Sequence, residues 1–117
     1  MQDADPETVR KYVRAAEEQY RRIKDPDYLM ARPLVDFVQT PVYYYRVGAL
    51  LGALEAGFHD VLEFGAGTCW LGAILYRLGS RVTFLDVSPT ALELGRKLID
   101  RLEPVGGFTV SYTHLTL

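Results

Sequence analysis

A single cysteine, Cys69, stands in the 117 residues, along with one tryptophan and two methionines. One thiol forms no intramolecular disulfide and builds no cysteine metal cluster, so no covalent framework holds the chain together and a reducing, cytoplasmic setting is expected. No charge dominates: 13 Lys plus Arg face 15 Asp plus Glu, for a formal net charge of -2. That balance speaks against a nucleic-acid-binding tail. Long hydrophobic runs are missing too. The most apolar window, Val47 to Phe58, is bracketed by Arg46 and His59 and broken by Glu55, well short of the ~20 apolar residues that span a bilayer. The opening MQDADPETVRKYVR lacks the basic and apolar regions of a secretory signal. With 49% hydrophobic and 24% charged residues, the composition is that of one folded soluble domain or part of one, without repeats or low-complexity stretches.

The first half reads as helical. Asp5-Pro6 is a cap followed by proline at the first helical position, where no amide donor is lost. Val9, Tyr12, Val13, Ala16, Tyr20 and Ile23 then recur at helical steps as one apolar face. Arg10, Lys11, Arg14, Arg21, Arg22, Lys24, Glu17 and Glu18 are assigned to a solvated outer face. Asp25-Pro26-Asp27 and Arg32-Pro33 interrupt the pattern, and Thr40-Pro41 starts a second helix carrying Val42, Val47, Leu50, Leu51 and Leu54, with Gly57 able to end it. Of the adjacent Tyr43, Tyr44 and Tyr45, two are expected to pack and the third to line a ligand cleft.

After residue 57 the periodicity changes, which marks a boundary between a helical segment (1–57) and an α/β segment (58–110). Val61-Leu62-Glu63-Phe64 is a short apolar run ending in glycines, as in a buried parallel strand. Leu71, Ile74, Leu75 and Leu78 form a helix face closed by Gly79, and Arg81 to Asp86 is a second strand. Ser88-Pro89 caps a helix with Leu92, Leu94, Leu98, Ile99 and Leu102 buried, stopped by Pro104 and Gly106. Phe108-Thr109-Val110 opens a third strand. Strand, helix, strand, helix, strand is the crossover unit of a doubly wound, Rossmann-like parallel sheet, here about three strands and so its N-terminal half.

The chemistry concentrates between the first strand and the end of the second. Gly65 and Gly67 sit where a strand turns sharply into a helix and a ligand meets the main chain. That helix start offers unpaired amides to an anionic group. Asp86, 19 residues after Gly67, ends the next strand, from which a carboxylate accepts hydrogen bonds from ribose hydroxyls. Together these features describe a site for an adenosine-containing cofactor. The nicotinamide pattern G-x-G-x-x-G would need glycine at Trp70, and Glu63 would repel a pyrophosphate but attract a cation.

Glu63-Phe64-Gly65-Ala66-Gly67, taken with Asp86 in Leu85-Asp86-Val87-Ser88 and the helix opening Pro89-Thr90-Ala91-Leu92-Glu93-Leu94-Gly95-Arg96, resembles the class I S-adenosylmethionine-dependent methyltransferases over residues 58 to 110. The resemblance implies that Gly65, Ala66, Gly67 and Thr68 line the methionine part of the cofactor. Glu63 would then neutralise its ammonium, Asp86 would bind the ribose hydroxyls and Val87 would lie against the adenine. It implies a methyltransferase with about seven strands in the whole domain; the near-neutral charge and the lack of an obvious recognition module point to a small-molecule acceptor over nucleic acid. The chain is accordingly expected to be the N-terminal part of a longer enzyme, with an open edge on its first strand and no activity alone. Many members of the family have a third glycine where Cys69 stands, a position at which a residue entering a helix is expected to be free of strain. A helix N-terminus can activate a thiol, but with no His or Asn partner nearby Cys69 reads as a packing residue. Tyr44 and Arg46 are candidates to reach the acceptor; no metal site or catalytic base is evident. Ser111 to Leu117 resemble the translated adapter-derived tails of fragmentary reading frames, so they are expected to be non-native and His114 is kept out of the site. The alternatives are an NAD(P)-dependent oxidoreductase half and a non-catalytic nucleotide-binding or interaction module.

Overall fold

The computed structural model describes residues 5–23, 25, 27–28, 39–54, 60–102 and 110–115. Gly57, Arg32-Pro33, His59, Pro104, Gly106 and Phe108-Thr109 lie outside the described residues. The described elements are α1 (Pro6–Arg21), α2 (Thr40–Leu54), β1 (Asp60–Phe64), α3 (Trp70–Arg77), β2 (Arg81–Asp86), α4 (Pro89–Ile99) and β3 (Ser111–His114). The three strands form one parallel sheet in the order β1-β2-β3. This is the half of a doubly wound α/β sheet that the alternation of periods predicts.

Each element starts where its local chemistry dictates. Asp5 caps α1 by accepting the Thr8 amide at 3.0 Å, and Ser88 caps α4 by accepting the Ala91 amide at 3.1 Å, each followed by proline at N1. The third strand is displaced from its expected start: Val110 is outside it, and Ser111–His114, within the segment read as a tail, pair with Thr83–Asp86.

Register decides which side chains meet. Glu63 lies beside Phe84, and Phe84 beside Tyr112, so by strand alternation Val61, Glu63, Val82, Phe84, Asp86 and Tyr112 share one face. Phe84 and Tyr112 stack with ring centroids 5.5 Å apart. On this face Val82 and Phe84 are fully buried under Ala73 and Leu75 of α3 and Leu92, Leu98 and Ile99 of α4. Gly72 makes the close packing of α3 possible, because a Cβ there would lie 2.3 Å from the Phe84 ring and 2.4 Å from Glu63 Oε2. The opposite face is bare among the described residues: Leu62 is 63% exposed and Phe64 75%. Among the described residues β1 pairs with β2 alone, which leaves its outer edge open.

The tyrosine triplet on α2 departs from expectation. Only Tyr43 is buried, edge-on to Trp70 at 4.6 Å; Tyr44 and Tyr45 are exposed, because consecutive helical residues diverge by about 100° and α2 touches the core along one narrow stripe. Tyr12 is likewise 72% exposed on α1, although the helical pattern places it on the packed face. Glu17, assigned to the outer face, is packed instead, its side chain only 15% exposed. Among the described residues, no helix is long and apolar enough to cross a membrane.

Candidate cofactor site at the carboxyl ends of the strands

The turn from β1 to α3 is built by three left-handed residues. Gly65 (φ +69°), Gly67 (φ +56°) and Cys69 (φ +64°) alternate with Ala66 and Thr68, and the Ala66 amide continues the β ladder by donating to the Leu85 carbonyl at 3.0 Å. Two of the three are glycine, which takes this conformation without steric cost. Cys69 is the exception, so the expectation of an unstrained helix entry does not hold: the chain reverses at this residue before the helix begins, and its Cβ bears the left-handed penalty. The position is one that favours glycine, yet a cysteine fits because its side chain fills buried space against Gly95, where an added Cβ would come within 2.5 Å of Sγ.

Cys69 occupies the N-cap position of α3 and makes no side-chain cap bond. Glu63 supplies the missing acceptor from the neighbouring strand, its Oε2 taking the Gly72 amide at 2.9 Å. Burial pushes the half-buried Glu63 carboxyl above its ordinary value, and the Gly72 bond offsets only part of that. For Cys69, burial and then the nearby Glu63 and Asp86 carboxylates push the thiol far up. It stays protonated at neutral pH, which removes the nucleophile reading.

Asp86 closes the site from below. Its Oδ2 accepts the Gly67 amide at 2.7 Å and its Oδ1 the Ser88 amide at 2.8 Å, both in buried surroundings. One carboxylate thereby joins the glycine turn after β1 to the helix start after β2. A carboxylate offers about four acceptor directions. The two amides occupy two of them, leaving acceptor capacity for hydroxyl donors. Of the other sequence-identified residues, Ala66, Gly67 and Thr68 are buried in the turn, Val87 is partly exposed, and Gly65 is exposed, with nothing within 4 Å of an added Cβ.

Three groups that the sequence reading left out also reach this end of the sheet. Glu17 accepts hydrogen bonds from the Ser88 and Thr90 hydroxyls and, at 3.4 Å, from the Thr90 amide at the start of α4. Burial pushes Glu17 up, but the Ser88 and Thr90 bonds and the Arg21 cation outweigh it and hold the carboxyl below its ordinary range. Tyr20, one turn further along α1, places its hydroxyl 2.6 Å from where a Cβ on Gly67 would stand. The signal for both was the α1 stripe itself: Val13, Ala16, Glu17 and Tyr20 are helical neighbours, so an acid lies inside the packed face. His114, excluded from the sequence argument, puts Nε2 3.0 Å from the Val87 carbonyl. Tyr44 and Arg46 are exposed on α2. Among the described residues, no three His, Cys, Asp or Glu side chains gather to hold a metal ion.

No family model matches the sequence, and no curated protein matches it. A solved structure described as a "DhpI-SAM-HEP complex" shares the fold, with a TM-score of 0.58 and 21% identity, over 97% of this chain and 45% of that one. The chain thus spans less than half the length of this structural neighbour. The likeness establishes a common backbone architecture, with the β1 turn and the end of β2 at the carboxyl edge of the sheet.

Proposed function

We propose that this chain is the cofactor-binding part of an S-adenosylmethionine-dependent methyltransferase whose acceptor is a small molecule. The observation that carries the proposal is the Asp86 carboxylate at the end of β2, tied to the Gly67 amide at 2.7 Å. It sits one strand away from Glu63, at the carboxyl edge of adjacent parallel strands, where ligands of open α/β sheets bind. The structural neighbour's description names SAM, which supports the same cofactor.

The residues fit that group chemically. Asp86 keeps acceptor capacity for two ribose hydroxyls, and Gly65, Ala66, Gly67 and Thr68 would line the methionine part, with open space at Gly65 and Tyr20 standing over Gly67. Glu63 would neutralise the ammonium, directly or through water, and Val87 would lie against the adenine. An ammonium beside Glu63 compensates the burial that disfavours its charged form. When bound, the cofactor supplies a methyl group already activated by its sulfonium charge. The chain's own part is positioning: Asp86 would fix the ribose and Glu63 the amino acid end.

Calorimetric titration of S-adenosylmethionine into the protein tests the reading, with Asp86→Asn as the comparison and circular dichroism confirming that both are folded. Binding that weakens at least roughly tenfold in the variant is expected, since a buried charged acceptor contributes about 1.5–3 kcal/mol per hydrogen bond. Equal binding by both proteins, or no binding by the wild type, contradicts the proposal.

A further inference from the structure

The face of the glycine turn that a ligand must approach is not bare in this structure. Tyr20 stands over Gly67, with its hydroxyl 2.6 Å from where the first atom of any side chain on that residue would be. The absence of a side chain at Gly67 therefore serves α1 as well as a ligand. No residue of α1 is fully buried, and a polar attachment of α1 to the α/β segment is the Glu17 carboxylate, which takes two hydroxyls and one amide from Ser88 and Thr90. Those two residues flank the N-terminus of α4, where a negative charge is favoured by the aligned amides. Ser88 is also the residue whose amide binds Asp86 Oδ1, so the latch and the candidate ribose-binding carboxylate share a partner.

We propose that α1 is an autoinhibitory cover, latched by Glu17, whose docked position and ligand contact at Gly67 exclude one another. Glu17 is a positioning residue in this scheme and Tyr20 is the blocking group. The cover lifts as a unit when the Ser88 and Thr90 bonds to Glu17 open, and a ligand lying along Gly65 to Gly67 selects the lifted state. Its apparent affinity is then the intrinsic affinity reduced by the fraction of molecules in which the cover is open. The inference rests on the glycine turn being the ligand site, but the contact itself is testable without any ligand.

The experiment uses the full chain as wild type, Glu17→Gln and Thr90→Val. Each variant keeps side-chain volume while removing the charge or one hydroxyl donor. Amide hydrogen exchange is followed in the free proteins, and S-adenosylhomocysteine is then titrated into each. The expected result is faster exchange, by roughly fivefold or more, across α1 and Gly65 to Cys69 in both variants, as a weakened local closing contact requires. Val82 and Phe84 should keep wild-type protection, showing that the core is intact. Binding of S-adenosylhomocysteine should tighten by a similar factor. Unchanged exchange at the turn in both variants overturns the cover. Faster exchange with unchanged or weaker binding overturns the competition, because α1 would then cover the turn without blocking it. If S-adenosylhomocysteine binds none of the three proteins, the cofactor assignment fails, and exchange alone decides whether Glu17 latches α1.

Discussion

Gly95, in the middle of α4, separates helix propensity from packing at the point where the glycine turn rests on that helix. On propensity alone, Gly95→Ala stabilises by about 1 kcal/mol, since glycine in a helix interior carries the larger backbone entropy cost. The packing says otherwise. A Cβ at residue 95 would lie 2.5 Å from Cys69 Sγ, 2.8 Å from Cys69 Cβ and 2.9 Å from the Thr68 carbonyl oxygen. Cys69 is fully buried and held in a left-handed conformation, so it cannot swing aside. Overpacking a close-packed core by one methyl costs about 1–3 kcal/mol, and three contacts this short place Gly95→Ala at the upper end. The net expectation is a loss of about 1–2 kcal/mol after the propensity gain is subtracted. Cys69→Gly removes two of the three contacts and leaves only the Thr68 oxygen. In that background Gly95→Ala should cost at least about 1 kcal/mol less, a coupling in the range typical of residues in contact. The cycle cancels the separate effects of Cys69→Gly, namely relieved backbone strain, lost burial and a freer unfolded chain. Urea unfolding of all four proteins measures it, read from midpoints at constant slope. If Gly95→Ala stabilises the wild type, or costs the same in both backgrounds, the Cys69–Gly95 contact does not hold the turn on α4.

Glu63 is pushed above its ordinary value of 4.5 in the folded state, so its contribution to stability is full below that value and is lost as the pH rises through the raised one. Glu63→Gln keeps an oxygen for the Gly72 amide without the buried charge; it should be more stable than the wild type at pH 7, equal to it near pH 4, and poorer at binding S-adenosylmethionine. Urea titrations across pH decide the first part, and a variant less stable at pH 7 counts against the burial argument. Phe64 is 75% exposed beside the open edge of β1, so Phe64→Lys should reduce concentration-dependent self-association in sedimentation velocity; unchanged association would show that this face is not the sticky one. Tyr43→Ala removes the buried ring that meets the only tryptophan, and should destabilise by about 2–3 kcal/mol and alter Trp70 fluorescence, whereas an unperturbed emission spectrum would place α2 elsewhere.

How far the sequence reaches differs between the two halves of the chain. In residues 60–102 the order of strands and helices, the Ser88 and Pro89 helix start and the placing of the glycine turn and Asp86 at one end of the sheet were legible, whereas α4 ends at Ile99, short of Leu102, which the apolar pattern includes in it. Each rests on a short-range rule: apolar period, cap chemistry, or the preference of glycine for a left-handed turn. Residues 6–54 were legible as helices but not in their facing. Tyr12, Tyr44 and Tyr45 are exposed and Glu17 is packed, because an amphipathic pattern offers a stripe about 100° wide and the partner surface chooses within it. The strain at Cys69 was equally hidden, since a backbone angle depends on where the chain must go next.

The sequence by itself determined the parallel α/β half-sheet and the pairing of a glycine turn with an acid at the carboxyl edge, since both follow from periodicity and spacing along the chain. Only the tertiary structure decided that Glu63 caps α3, that both oxygens of Asp86 are engaged by amides, and that α1 lies across Gly67 with Glu17 bonded to Ser88 and Thr90. Glu17 and Thr90 are 73 residues apart. Contacts at that separation are set by how elements dock, through buried area and donor-acceptor matching that no local pattern encodes.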